Sequence, residues 1–278
     1  ILQEKGYTYE KDGAIWFSSR DFGDEKDRVL ITREGEPTYF LVDIAYHRNK
    51  YQRGYQKLYD IWGPDHHGYI PRMKAALQAL GYPKDSFNVE IVQQVNLLRS
   101  GQVIKMSKRA GQIIEMKEVI DEVGVDAARF FFVNRKCSSH LDFDIDLAKK
   151  QSDENPVYYV QYAHARISNV IKFATEQGVS LIENINLNRL TQNEEKQLIK
   201  KLLQYPEVII SAAQSWEPHR LTNYLQELAS TFHHFYHKHR VVTDDKELTH
   251  ARLMLMQATK IVFANGLRIL GISAPEYM

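Results

Sequence analysis

The order of apolar and polar positions separates a first half of short elements from a second half of long amphipathic helices. Two apolar runs, at 14–17 and 28–31, are bounded by Asp12-Gly13 and Glu34-Gly35. Runs of this length between turn residues are typical of β-strands. The charged segment 22–28 between them is expected to be a solvated loop.

The pattern then alternates between helix and strand. Thr38 is placed to cap a helix that continues without glycine or proline through residue 50. Residues 88–98 alternate as one strand, or as two with a break at 93–94. Further elements are predicted as a strand at 58–62, a helix at 71–80, a helical stretch at 115–133 and a strand or turn at 141–146.

Four amphipathic stretches in the second half predict a helical bundle. They cover 157–177, a segment that follows a capping box at 191–194, a segment that begins at Pro218, and 247–270. In the last of these we expect five residues to face inward: Leu255, Ala258, Ile261, Val262 and Ile269. The predicted fold class is therefore an α/β domain over residues 1–150 followed by an all-α domain over 151–278.

Composition excludes several classes of protein. Hydrophobic residues make up 44% of the 278 positions, and no apolar run approaches the ~18 residues of a membrane span. Cys137 is the only cysteine, which fits a reducing cytoplasm. The net charge of +1 gives no general attraction to nucleic acid, so RNA binding would need local patches. We expect a cytoplasmic monomer with no membrane contact.

The most distinctive chemistry lies in the segment 104–111, where three cations surround a serine. Lys105 and Lys108 would act as point charges on phosphate, Ser107 would offer a hydroxyl, and Arg109 a planar fork. This pattern predicts a phosphate-binding loop. The alternative is a solvated basic loop.

On the helix predicted at 38–50, three polar residues recur every fourth position. Tyr39, Asp43 and His47 would line one face. A phenol, a carboxylate and an imidazole in one stripe could receive a cationic side chain. The alternative is the partly exposed polar face of a half-buried helix.

A second polar group follows the strand at 58–62. Gly63, Asp65, His66 and His67 come directly after it, where open α/β sheets bind ligands. Metal binding is the rival interpretation, but adjacent side chains diverge and no further Cys/His cluster has ligand spacing, so we predict no metal site.

Aromatic and basic residues also stand out on the helices of the second half. Stacking of splayed RNA bases favours tyrosine and guanidinium planes. The candidates for such contacts are Tyr162, Arg166, Tyr236, Arg240 and Met278.

These motifs together resemble a known family. The segment 105–109 resembles the KMSKR signature of class I aminoacyl-tRNA synthetases, and the segments 38–50 and 63–69 resemble blocks of arginyl-tRNA synthetases. The segments 156–166 and 271–278 resemble the two ends of that family's helical anticodon-binding domain. The resemblance implies a partial Rossmann-type catalytic domain followed by this helical domain.

The resemblance assigns roles to the motifs. Tyr39, Asp43 and His47 would bind arginine, and Lys105, Ser107, Lys108 and Arg109 would be catalytic. Gly63, Asp65, His66, His67 and Met106 would lie around ATP. The implied reaction is ATP-dependent activation of L-arginine and its transfer to tRNA-Arg, with Mg²⁺ accompanying ATP and no tightly bound cofactor.

One signature of the class does not occur in the sequence. There is no His-x-Gly-His, whose histidines hold the ATP phosphates in the class, so we expect a fragment with little activity by itself. Two alternatives stay open: a non-catalytic RNA-binding module and a class I-like nucleotidyltransferase. The first has no need for the lysine loop, and the second leaves the helical half without a role.

Overall fold

The computed structural model of the chain describes residues 1–105, 114–179 and 184–278. The chain folds into two units, Ile1–Gln94 and Val95–Met278. Each unit has its own hydrophobic core.

The first unit opens with an antiparallel sheet in the order β1-β2-β3, formed by Thr8–Lys11, Ala14–Phe17 and Arg28–Ile31. The strands predicted at 14–17 and 28–31 are confirmed, whereas β1 was missed because its burial is slight. The segment 22–28 is not simply solvated. Asp24 is buried and accepts hydrogen bonds from Arg28 Nε at 2.7 Å and Ser19 Oγ at 3.1 Å.

Helix α1 spans Tyr39–Gln52 and begins where the sequence predicts it. Thr38 has an extended backbone, and its Oγ1 accepts a hydrogen bond from the backbone N–H of Leu41. The hydroxyl also lies 3.0 Å from the carbonyl oxygen of Val29 on β3. The same residue therefore starts the helix and ties it to the sheet.

A β-α-β arrangement completes the first unit. Strand β4 (Leu58–Trp62) pairs in parallel with β5 (Phe87–Ile91), and helix α2 (Ile70–Leu80) connects them. A 3-10 helix at Pro64–Tyr69 lies between β4 and α2. The carboxyl end of β4 is thus followed at once by the predicted polar segment.

The second unit begins with a small mixed sheet and its connecting helices. Its strands are β6 (Val95–Arg99), β7 (Gln102–Val103) and β8 (Leu141–Asp144), in the order β7-β6-β8, and β6 and β8 are parallel. The segment predicted as one or two strands at 88–98 is therefore two strands, and they belong to different sheets. Helices α3 (Met116–Val123) and α4 (Val125–Val133) meet at Gly124, whose φ of +83° ends the first helix. Helix α5 is Ile145–Lys149.

The helical part contains α6 to α10 in the described residues: Pro156–Glu176, Asn193–Leu203, Tyr205–Ser215, His219–Lys238 and Lys246–Leu270, with a 3-10 turn at Leu187–Arg189. The prediction of one helix after residue 194 was wrong, because Pro206 stands in the first turn of α8 and cannot continue α7. The capping box lies one position later than predicted and joins Gln192 to Glu195.

Helix α10 is long and apolar enough to cross a membrane by length and composition alone. Its buried residues include Met256, Phe263 and Leu267, all fully buried in the core of the second unit. This is the burial of a core helix. The inward orientation predicted for Ile261 and Ile269 was wrong, since they are 49% and 58% exposed.

The predicted domain boundary at 150/151 falls inside the second unit. The core of that unit joins Phe130, Phe143 and Ile145 to residues of α6 and α9. Because this core is continuous across residue 150, packing does not separate the two predicted domains there, and the predicted domain assignment stays a prediction.

Candidate functional site

A pocket of about 430 Å³ opens in the first unit beside α1. Four residues selected from the sequence line it: Tyr39, Asp43, His47 and His66. The stripe on α1 and one residue of the segment after β4 therefore belong to one site. Gly63, Asp65 and His67 are exposed and do not line this pocket, so their predicted contacts with ATP stay predictions.

The three residues of the stripe differ in exposure. Tyr39 is 92% exposed at the start of the helix, Asp43 is intermediate, and His47 is 4% exposed. Tyr39 and Asp43 can thus meet a ligand directly. His47 was expected on the polar face of the helix, but its side chain is buried.

Both ring nitrogens of His47 are engaged. Nδ1 lies 2.8 Å from the carbonyl oxygen of Asp43, and Nε2 lies 2.7 Å from Oδ2 of Asp60. Whichever atom holds the proton between Nε2 and Oδ2, the imidazole is locked between α1 and β4. His47 therefore joins the two elements that line the pocket. Its predicted contact with arginine stays a prediction.

The carboxylate of Asp60 forms hydrogen bonds with two side chains, His47 and Lys50. Besides His47, Lys50 Nζ lies 3.1 Å from Oδ1, and the Asp60 side chain is only 13% exposed. Burial by itself raises the pKa of Asp60, but the hydrogen bonds with His47 and Lys50 outweigh it, so the pKa lies below its usual value. The carboxylate stays ionised and anchors the carboxyl end of β4 to α1.

Five residues of the pocket were not selected from the sequence. They are Tyr46, Lys50, Asp60, Trp62 and Tyr69. The sequence contained a signal for two of them, because Asp60 and Trp62 lie two and four positions after the buried Leu58 and so share one face of β4 with it. The pocket is thus lined by four tyrosine and tryptophan rings, by Asp60 paired with Lys50, and by the Asp43 carboxylate. Aromatic rings around the Asp43 carboxylate suit a planar cation.

The phosphate loop cannot be placed in the same way. Met106, Ser107, Lys108 and Arg109 lie outside the described residues. Lys105 is described and exposed, just after β7. The roles predicted for all five residues stay predictions.

A second group of predicted residues meets in the helical part. Tyr162, Arg166, Tyr236 and Met278 line a pocket of about 390 Å³ between α6, α9 and the last residues of the chain. The Arg166 guanidinium lies 4.6 Å from the ring centroid of Tyr236, and its Nη1 donates to Tyr162 Oη at 2.6 Å. This is a guanidinium held between two tyrosines.

The fifth predicted residue lies in the adjoining groove. Arg240 and Tyr236 both line a larger pocket of about 900 Å³. Sequence reasoning missed Asn169 and Phe173, which are exposed in the smaller pocket. Exposed aromatic and amide groups beside Arg166 suit stacking and edge recognition of unpaired bases.

The aromatic rings behind Arg166 form a continuous row. Tyr162 stacks on Tyr158 with an interplanar angle of 9° and on His233 with 26°. Burial, together with the charge of Arg166, lowers the pKa of His233 to about 4. His233 is therefore neutral near pH 7 and adds no charge to the row.

The C-terminal residues are fastened to this surface. Oδ1 of Asp126 accepts the Ser273 N–H at 3.1 Å, and Oδ2 accepts Gln161 Nε2 at 2.8 Å as well as the Ser273 hydroxyl. His164 Nδ1 lies 2.8 Å from the carbonyl oxygen of Pro275. These bonds bring Met278 to the pocket of Arg166.

A cluster of three or more His, Cys, Asp or Glu residues that could bind a metal ion is not found in the described part of the chain.

Comparison with known proteins shows what the chain is similar to. Residues 160–278 match the family model of the DALR anticodon binding domain. The chain is 51% identical over 279 residues to arginine–tRNA ligase 1 of Halalkalibacterium halodurans and 53% identical over 280 residues to the arginine–tRNA ligase of Syntrophotalea carbinolica. Each match covers all of this chain and half of the relative.

Solved structures show the same fold. A Campylobacter jejuni protein assigned as an arginyl-tRNA synthetase matches the whole chain with a TM-score of 0.87 at 38% identity, over 60% of its own length. The Thermus thermophilus arginyl-tRNA synthetase matches with a TM-score of 0.81 at 23% identity, over 57% of its length.

The match to an anticodon-binding domain and the matches to two arginine–tRNA ligases over the whole chain place it in the class of aminoacyl-tRNA synthetases. Within that class, the chain belongs to the arginyl-tRNA synthetase family. It spans about half the length of the curated relatives it matches. The predicted fold class and family are confirmed.

Proposed function

We propose that this chain supplies the arginine-binding pocket, the phosphate loop and the anticodon-binding surface of an enzyme that charges tRNA-Arg with L-arginine at the expense of ATP. The observation that carries the proposal is the pocket around Asp43. Its carboxylate lies on helix α1 in a pocket lined by aromatic rings, an arrangement that suits recognition of a guanidinium.

In this proposal the side chain of arginine enters with its guanidinium toward Asp43 and Tyr39. A carboxylate can accept two parallel N–H bonds from a guanidinium, whereas the ammonium of lysine and the neutral ureido group of citrulline cannot reproduce that pattern. The carboxylate of arginine then attacks the α-phosphate of ATP. Lys105 and Lys108 offset the charge that develops on the leaving pyrophosphate.

ATP enters as a substrate with Mg²⁺, and the protein needs no tightly bound cofactor. Mg²⁺ ordinarily binds through substrate phosphates and one or two carboxylates, so a dedicated cage of protein ligands is not required. Gly63, Asp65, His66, His67 and Met106 contact the adenosine and aminoacyl groups. The enzyme acts in the cytoplasm as a monomer.

The helical half binds the anticodon of tRNA-Arg. Unpaired bases stack on Tyr162 and Tyr236, and the guanidinium of Arg166 between these rings adds a cationic plane. Arg240 neutralises a phosphate in the adjoining groove. With a net charge of only +1 for the whole chain, affinity depends on this local surface.

The proposal includes that the 278 residues by themselves have little or no activity, because the sequence contains no His-x-Gly-His. The test is arginine-dependent pyrophosphate exchange, with tRNA-Arg present, for this chain and for the full-length synthetase. Turnover by the full-length protein and none by the chain is expected. Robust turnover by the chain would refute the fragment proposal, and no arginine dependence in the full-length protein would refute the assigned function.

A further inference from the structure

We propose that Tyr69 is a positioning residue that orients the Asp43 carboxylate toward the guanidinium of the substrate; this inference rests on the function proposed above. The phenol oxygen of Tyr69 lies 2.9 Å from Oδ2 of Asp43. Tyr69 ends the 3-10 helix after β4, and Asp43 lies on α1. The contact therefore couples two separate elements at the pocket.

The direction of this hydrogen bond follows from the chemistry of both groups. An ionised carboxylate only accepts, so the phenol donates. Burial first, and then the hydrogen bond and charge of Asp43, raise the pKa of Tyr69 far above its usual value. The phenol keeps its proton over the whole range in which the enzyme works, and it remains a donor.

The Tyr69 ring is itself held in place. It packs edge-on against Phe40 with centroids 5.9 Å apart and against Trp62 with centroids 5.7 Å apart. On the same ring lies the guanidinium of Arg72, 4.7 Å from the centroid. Since Phe40 is only 5% exposed, the phenol cannot swing away without disturbing the core.

A fixed phenol fixes the plane of the carboxylate. When Oδ2 is held, rotation about the Cβ–Cγ bond of Asp43 is restrained and Oδ1 keeps a constant direction. Paired N–H bonds from a guanidinium need that plane to coincide with their own, whereas an ammonium is a point charge with little angular demand. Orientation of Asp43 should therefore favour arginine over lysine, beyond simple charge attraction.

The test is Tyr69→Phe in the full-length synthetase, assayed by tRNA-dependent pyrophosphate exchange. We expect the KM for arginine to rise about tenfold, as for loss of a hydrogen bond to a charged group. The kcat and the KM for ATP should change less than about twofold. Preference for arginine over lysine should fall by a similar factor.

The matched control is Tyr51→Phe. This change also removes a single partly buried phenol hydroxyl from the first unit, here one that lies 2.7 Å from Ser86 Oγ. Tyr51 does not line the pocket, so the KM of the Tyr51→Phe enzyme for arginine should stay unchanged. An equal rise in both variants would mean general damage and would overturn the inference.

Assay of the Asp43→Asn variant distinguishes an error in the role of Tyr69 from an error in the proposed function. If Asp43→Asn abolishes arginine-dependent exchange while Tyr69→Phe has the wild-type KM and preference, the positioning role is wrong and the pocket assignment stands. If Asp43→Asn leaves the arginine KM unchanged, the pocket does not bind arginine and the proposed function fails.

Discussion

Arg252 on α10 and Glu195 on α7 form a buried ion pair in the helical part. Arg252 Nε lies 2.7 Å from Glu195 Oε1, and their side chains are 7% and 0% exposed. The other oxygen of Glu195 accepts the Gln192 N–H, and Arg252 Nη1 donates to the carbonyl oxygen of Arg240. One pair thus joins the start of α7, helix α10 and the segment that carries Arg240.

Removing one partner of this pair should destabilise the protein strongly. Arg252→Met leaves the Glu195 carboxylate buried without its cation, and we expect the free energy of unfolding to fall by about 3–5 kcal/mol. Urea denaturation of the chain measures this. The matched control is Lys150→Met, which removes the exposed cation paired with Glu154 and should cause no measurable change.

The double variant Arg252→Met/Glu195→Gln tests the cause. Glutamine keeps an acceptor for the cap of α7 and removes the unpaired charge, so it should recover part of the lost stability. If the double variant is no more stable than Arg252→Met, packing and not charge sets the cost.

The pH dependence of stability should reveal Asp60. Because its folded pKa lies below the unfolded value near 3.8, the stabilisation is present above about pH 4 and is lost as pH falls through the folded pKa. We expect Asp60→Asn to cost about 1–3 kcal/mol near pH 7, since the negative charge beside Lys50 is lost and the single amide oxygen can accept from only one of His47 and Lys50. The difference from wild type should shrink as pH falls below 4.

Denaturation of both proteins between pH 7 and pH 3 is the measurement. Asp85→Asn serves as control, because Asp85 is exposed and loses the same charge. A gap between wild type and Asp60→Asn that is equally large at pH 3 would exclude an ionised Asp60 as the source.

Fastening of the C-terminal residues should support binding of tRNA. Asp126→Asn turns an NH₂ group toward the donor groups of Gln161 and Ser273, which frees the segment that carries Met278. We expect affinity for tRNA-Arg to fall several-fold, measured by fluorescence anisotropy. The slope of affinity against salt should not change, because no phosphate contact is lost.

Asp121→Asn is the control for this experiment. Asp121 is exposed on α3 and pairs with Lys117 in the next turn toward the N-terminus. Its removal makes the same charge change at a distance from the tail. Equal losses in the two variants would point to a general electrostatic effect.

Lys108 should act on chemistry and not on binding of arginine. Lys108→Ala in the full-length synthetase is expected to lower pyrophosphate exchange about 100-fold or more, as for removal of a preorganised charge, while arginine binding stays nearly intact. Lys117→Ala, which removes an exposed lysine from α3, should leave exchange unchanged. A wild-type rate in Lys108→Ala would remove the loop from the mechanism.

Local patterns determined most of the secondary structure. Thr38, Pro218 and Gly271 mark helix ends through caps and backbone angles that depend on near neighbours, and these ends were predicted correctly. The break between α7 and α8 was also encoded locally, in Pro206. The missed break reflects the continuous apolar stripe on both sides of it.

Some residues of the candidate sites could be selected from local spacing, whereas their contacts with distant parts of the chain could not. Spacing of four along α1 was enough to select Tyr39 and Asp43, because residues four apart share a helix face. The sequence did not reveal that His47 is buried against Asp60 or that Tyr69 reaches Asp43. These contacts join residues 13 and 26 positions apart.

The sequence by itself therefore determined the family, most of the elements and the residue types of two candidate binding surfaces. Only the tertiary structure decided which polar groups are buried and which of them hold others in place. A pattern of spacings describes one element at a time, whereas burial of Glu195 beside Arg252, or exposure of Ile261, depends on what packs from elsewhere in the chain.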